Sequence, residues 1–157
     1  KTRQLINEGR SKISLEKELT WFMNDRREDV ENHIGPALES KKIVLMDRYY
    51  YSTAAYQGAL GLEPEKIVLD NEIFAPIPDR VFIFHAPVDT CLDRIKMARG
   101  NLLDSFEKKD YLEKVQTLFE RFSGPRFRKI DSSVSIQAVR ENVMREVQDL
   151  LSDLNLG

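Results

Sequence analysis

The chain has 157 residues, 41% of them apolar and 32% charged, with a formal net charge of -2 and a single cysteine, Cys91. Its length suits one domain, and its composition is that of a soluble globular protein, not a disordered or membrane-embedded one. The small net charge excludes a global basic field for nucleic acid. The longest apolar runs, at 43–46 and 81–84, are far too short to span a bilayer; a lone cysteine excludes an internal disulfide, and without an export signal a cytoplasmic location is expected.

Helical and strand patterns alternate along the chain, which predicts an α/β fold. Residues 3–8 read as the end of a helix stopped near Gly9. Ser14 is placed to cap the next helix. There Leu15, Leu19, Phe22, Met23, Val30, Ile34 and Leu38 recur at helical spacing, and Gly35-Pro36 predicts a kink near the end. The run 42–46 is short, apolar and partly β-branched, and predicts a buried parallel strand. A polar, aromatic turn then leads into a helix through Ala59. Pro64 suits the first turn of a helix over 65–74, which Pro76 and Pro78 end. Residues 80–85 predict a second buried strand, 87–99 a helix, 100–105 a loop and 107–122 another helix. Ser123-Gly124-Pro125 is a break, 128–130 a short third strand, and Ser135 caps a last helix. Ile136, Val139, Val143, Val147, Leu150 and Leu154 are expected on that helix's inner face.

Chemistry concentrates where the first expected strand ends in Asp47-Arg48. Ligands of open α/β sheets sit beyond the carboxyl ends of the strands. A carboxylate there can hold magnesium directly or through water, and a guanidinium can grip a phosphate with two parallel hydrogen bonds. Taken alone, an Asp-Arg pair is better explained as a strand cap. The segment after it is less ordinary: Tyr49-Tyr50-Tyr51-Ser52-Thr53-Ala54-Ala55-Tyr56-Gln57-Gly58 sets small residues among aromatic ones. Aromatic faces suit bases and sugars, and small residues admit a ligand to the backbone.

Asp-Arg-Tyr, then Ser, then Ala-Tyr-Gln-Gly at this spacing resembles the signature of thymidylate kinases. Upstream, Phe22 and Arg26, four apart on one helix face, resemble that family's Phe-x-x-x-Arg segment. The resemblance implies an α/β, P-loop kinase-type three-layer sandwich with a parallel sheet, and ATP-dependent, magnesium-assisted conversion of dTMP to dTDP by a homodimer. Membrane and nucleic acid are not expected partners. By the same resemblance Phe22 stacks on thymine and Arg26 meets a base carbonyl. Arg48 holds the acceptor phosphate, and Asp47 sits near magnesium and the transferring group. Ser52, Thr53 and Gln57 make polar contacts, and Tyr56 packs on the sugar and selects deoxyribose. These are roles of positioning and charge neutralisation, not of covalent catalysis. His85, at the exit of the second expected strand, reads as structural because phosphoryl transfer of this kind needs no general base. His33, with no metal-ligand spacing to any residue, reads as a surface or packing residue.

Residues 94–107 resemble the family's mobile lid, with Arg94 and Arg99 set against the phosphates of ATP. Ser105 stands where the bacterial-type pattern has an arginine, and an arginine that stabilises the transition state can contribute about 10³-fold or more in rate. The chain opens on Lys1 and contains no Gly-x-x-x-x-Gly-Lys-[Ser/Thr]. The resemblance therefore implies a preceding segment carrying the phosphate loop, the first helix and the second strand, and a central strand between the two expected here. Residues 1–157 read as one domain without that portion. Two other readings stay open beside dTMP kinase: a nucleotide-binding relative that turns over weakly or not at all, and a deoxynucleoside kinase. Ala55-Tyr56-Gln57-Gly58 argues against the last.

Overall fold

A computed structural model describes residues 13–99 and 108–154. The expected helix at 3–8 and most of the lid, including Ser105, lie outside the described residues. The chain forms two compact units, Lys1–Ile77 and Pro78–Gly157.

The first unit is helical among its described residues. Helix α1, Leu15–Asp29, starts where the sequence predicts: Ser14 has extended backbone, and its hydroxyl oxygen accepts from the Lys17 amide at 3.3 Å. This satisfies one of the amides that a helix start leaves without a partner. The kink expected at Gly35-Pro36 is a π-helical turn, Val30–Ile34, followed by short α2, Gly35–Glu39. Proline clashes with the carbonyl four residues back, and the wider turn relieves that clash. The Gly35 amide bonds Val30 O, and a Cβ on Gly35 would meet that same oxygen at 3.0 Å. Helix α3 is Tyr50–Gly58 and α4 is Pro64–Glu72, with Pro64 in its first turn as expected. α3 packs on α4 and on α1. Tyr50, Tyr51, Ala54, Ala55 and Ile67 are buried there. Of the apolar stripe on α1 and α2, Ile34 is buried, but Leu38 is exposed.

The strand expected at 42–46 does not form. A strand exists only through a hydrogen-bonded neighbour, and this run has no ladder partner among the described residues. Ile43 is 69% and Leu45 89% exposed, so the expected burial is absent too.

The second unit carries the α/β pattern. Strand β1, Val81–His85, pairs in parallel with β2, Phe127–Asp131, in the register Val81↔Phe127 through His85↔Asp131. Between them run α5, Val88–Arg99, and α6, Lys109–Arg121, which pack on each other. Helix α7, Ile136–Asp153, is capped by the Ser135 hydroxyl and packs on β2. Ile83, Leu92, Val115 and Ile130 form the core. β1 is less buried than expected: with β2 as its only strand neighbour among the described residues, Phe84 and His85 are exposed. Ile136 and Leu154, expected on the inner face of α7, are exposed as well. They stand at the two ends of the helix, while Val139, Val143, Val147 and Leu150 between them are half-buried.

Candidate functional site

The first unit contains a cleft of about 410 Å³ lined by Phe22, Asp25, Arg26, Glu28, Asp29, His33, Met46, Arg48 and Tyr49. α1 and the π turn supply one wall. Phe22, Arg26 and Asp29 follow helical spacing, and the π turn carries His33 onto the same side, where its Nδ1 lies 3.1 Å from Asp29. The other wall is the residues just before α3. Arg48 there has φ 65°, a left-handed conformation that costs a residue with a Cβ about 1–2 kcal/mol. Such strain persists only where its surroundings impose it, and it clusters at functional sites.

Arg26 is the most constrained cation of the cleft. Its Nη1 donates to Asn71 Oδ1 at 2.7 Å and its Nη2 to Thr53 Oγ1 at 3.0 Å. Its guanidinium lies 5.4 Å from the centroid of the Tyr49 ring. Burial lowers the Arg26 pKa, with Tyr49 and Asp25 acting in the opposite direction. Arg48 is exposed, and its guanidinium lies over the Tyr56 ring at 5.1 Å.

The residues singled out in the sequence thus fall into three groups. Phe22, Arg26 and Arg48 meet at the cleft, and Tyr56 and Thr53 touch two of them. Asp47, Ser52 and Gln57 do not line it. Asp47 is exposed, Ser52 is half-buried in the first turn of α3, and Gln57 is 2% exposed, its Oε1 without a hydrogen-bond partner among the described residues. Arg94 is exposed on α5 of the second unit and Arg99 is that helix's last residue. No cluster of three or more metal-ligating side chains occurs among the described residues.

A family model for thymidylate kinase matches residues 1–143. The chain belongs to the thymidylate kinase family. It is 45% identical over 151 residues to the thymidylate kinase of Desulfotalea psychrophila, covering 96% of this chain and 74% of that protein. It is 37% identical over 137 residues to that of Brachyspira hyodysenteriae, covering 87% and 67%. The probable thymidylate kinase of Archaeoglobus fulgidus is 36% identical over 147 residues, covering 94% and 74%. The chain thus spans between two thirds and three quarters of these relatives' lengths. No helix among the described residues of this thymidylate kinase family chain is long and apolar enough to cross a membrane.

Sequence reading missed Asn71 and Tyr49 as neighbours of Arg26. Asn71 is 45 residues away from it, and no periodicity links positions on separate helices. Tyr49 was visible only as one of four tyrosines.

Those tyrosines give the site's helix a pH limit. Tyr50 is fully buried, with its hydroxyl 3.3 Å from Glu72 Oε1 and from the Tyr51 hydroxyl. Burial first, then the bond with Tyr51, pushes its pKa far above the ordinary tyrosine range. The folded state therefore keeps a proton that the unfolded chain releases near pH 10. Stability from this group is intact below that pH and falls above it, by up to about 1.4 kcal/mol per pH unit. Urea unfolding at pH 9 and pH 11 is expected to show a steeper loss in the native chain than in Tyr50→Phe. Equal slopes would remove Tyr50 as the cause.

Proposed function

We propose that the protein transfers the terminal phosphoryl group of ATP to dTMP. The supporting observation is that Phe22, Arg26 and Arg48, an aromatic face and two guanidinium groups, open onto one cleft. In this reading Phe22 stacks on the pyrimidine, Arg26 donates to a base carbonyl, and Arg48 grips the acceptor phosphate as a planar fork. Tyr56, held against Arg48, packs on the sugar and disfavours a 2′-hydroxyl. Thr53 has a hydroxyl hydrogen left to donate after accepting from Arg26. Ser52 and Gln57 complete the polar contacts from α3, and Arg94 and Arg99 belong to the lid over ATP.

Magnesium suits a single carboxylate plus waters and substrate phosphates. Asp47, an exposed acid one residue before Arg48, is a donor of that kind. When bound, the ion supplies charge neutralisation on the transferring phosphoryl group. The protein's own contribution is to align acceptor and donor and to exclude water. A homodimer belongs to the same reading, with the half-exposed Leu15, Leu19 and Met23 of α1 as its contact surface.

The test is coupled ADP release by the full-length gene product with dTMP, dUMP, dCMP and thymidine. Turnover with dTMP and none with thymidine is the expected result. Turnover with thymidine alone would mean a nucleoside kinase. Tight dTMP binding without ADP release would mean a relative that has lost its chemistry, the outcome to which Ser105 points.

A further inference from the structure

We infer that Asn71 is the positioning residue that sets the base-reading geometry of Arg26, and through it the preference for a pyrimidine with a carbonyl at the position Arg26 meets. This rests on the dTMP reading above.

Asn71 is 0% exposed in the last turn of α4. Its Nδ2 donates to Ile67 O at 2.7 Å, one helical turn back. That bond fixes the amide's orientation. A flipped amide would set its NH₂ against a guanidinium, donor against donor, and its oxygen against a carbonyl. Oδ1 is therefore held facing Arg26 Nη1, at 2.7 Å. Thr53 Oγ1 takes one N–H of the other terminal nitrogen, and the Tyr49 ring backs the guanidinium plane. A guanidinium has five N–H donors in a rigid fork, so the fork's direction is set once two are tied. The last turn of α4 adds the partial negative charge of a helix C-terminus beside the cation.

Arginine is among the side chains with most rotamer freedom to lose, and binding through a free arginine incurs that loss. Asn71 makes the loss during folding, before ligand arrives. The bound pyrimidine then meets donors already aimed. An amino group in place of the base carbonyl meets donors that cannot swing away, so it is rejected.

Two variants of the full-length protein separate this role from a structural one. Asn71→Ser keeps a short side chain able to bond the carbonyl one turn back and deletes the acceptor for Arg26. Asn71→Asp keeps an oxygen acceptor. Asn71→Ser is expected to raise KM for dTMP by about tenfold, the scale of ordering one long side chain. kcat and KM for ATP stay unchanged, the signature of lost ground-state binding. The preference for dTMP over dCMP narrows in parallel, and Asn71→Asp restores most of the affinity. In an Arg26→Ala background Asn71→Ser has no further effect on KM for dTMP. An unchanged KM in Asn71→Ser, or the same loss with and without Arg26, would overturn the inference. Arg26→Ala alone separates the two claims. If it leaves dTMP affinity intact, the base-reading role fails and takes this inference with it. If it weakens dTMP while Asn71→Ser does not, only the role of Asn71 fails. Thermal melts of each variant check that it is folded. Should Asn71→Ser fail to fold, Asn71→Thr, which can likewise bond the carbonyl one turn back and lacks the amide oxygen that faces Arg26, is expected to give the same split between KM and kcat, and an unchanged KM there would overturn the inference equally.

Discussion

Arg48→Ala is expected to weaken dTMP binding by about 100-fold or more while leaving the fold as stable as before. Each charge-assisted hydrogen bond contributes about 1.5–3 kcal/mol, and a bidentate grip on phosphate makes two of them. Arg48 is exposed, so the low end applies, and about 3 kcal/mol is a little over two decades in affinity. Stability changes little because the side chain faces solvent and the Tyr56 ring, not the core. The backbone supplies a second comparison. At φ 65° a residue with a Cβ is strained by about 1–2 kcal/mol, whereas glycine is not but has more freedom to lose on folding, about 0.5–1 kcal/mol. Arg48→Gly should therefore be at least as stable as Arg48→Ala, with dTMP affinity equally poor. Calorimetry on both variants, with urea midpoints alongside, reads the two effects separately. Native-like affinity in either variant would refute the phosphate role. A glycine variant clearly less stable than the alanine one would refute the strain.

The helices were legible because their signals are local. Ser14 and Ser135 cap helices in the structure as their positions before periodic runs suggested, and Pro64 sits in a first turn. β1 was legible as an apolar run, whereas β2 was placed as a short strand after the break at 123–125; it pairs in parallel with β1, consistent with the helices between them. The run 42–46 has the same composition and forms no ladder. Strand pairing is a property of two segments, and composition describes one. The cleft divides the same way. Phe22 and Arg26 share a face by spacing alone, and Arg48 comes after an apolar run that ends in polar residues, so all three were visible. Asp47 was linked to them only by adjacency, and adjacent side chains need not share a cavity. Asn71 had no local mark at all. A buried amide chosen to match a distant guanidinium looks, in sequence, like any polar residue on a helix.

The inner face of α7 holds the other large expected effect. Periodicity marks Val139, Val143, Val147 and Leu150 as inward, yet Glu146 lies on that side too. It accepts from Arg128 Nε at 2.5 Å and lies 3.7 Å from Arg80 Nη1. The Arg80 side chain is 8% exposed, and its Nε and Nη1 have no hydrogen-bond partner among the described residues. One carboxylate thus balances two guanidinium groups, one of them nearly dry. Removing one partner of a buried pair costs about 3–5 kcal/mol because a charge is left uncompensated. Glu146 is itself 30% exposed, which favours the low end. Glu146→Ala is therefore expected to lose about 3 kcal/mol, or about 6–12 °C in Tm for a chain of this size. Arg80→Met should behave oppositely. It removes a buried cation whose bonds are already incomplete and fills the space with an apolar chain of similar length, so stability should hold or rise. In the Arg80→Met background Glu146→Ala should then cost much less, since only the more exposed Arg128 loses its partner. Urea unfolding of the two single variants and the double closes this cycle. Equal losses from Glu146→Ala in both backgrounds would mean that the carboxylate acts through Arg128 alone, and that Arg80 is neutralised by some other group.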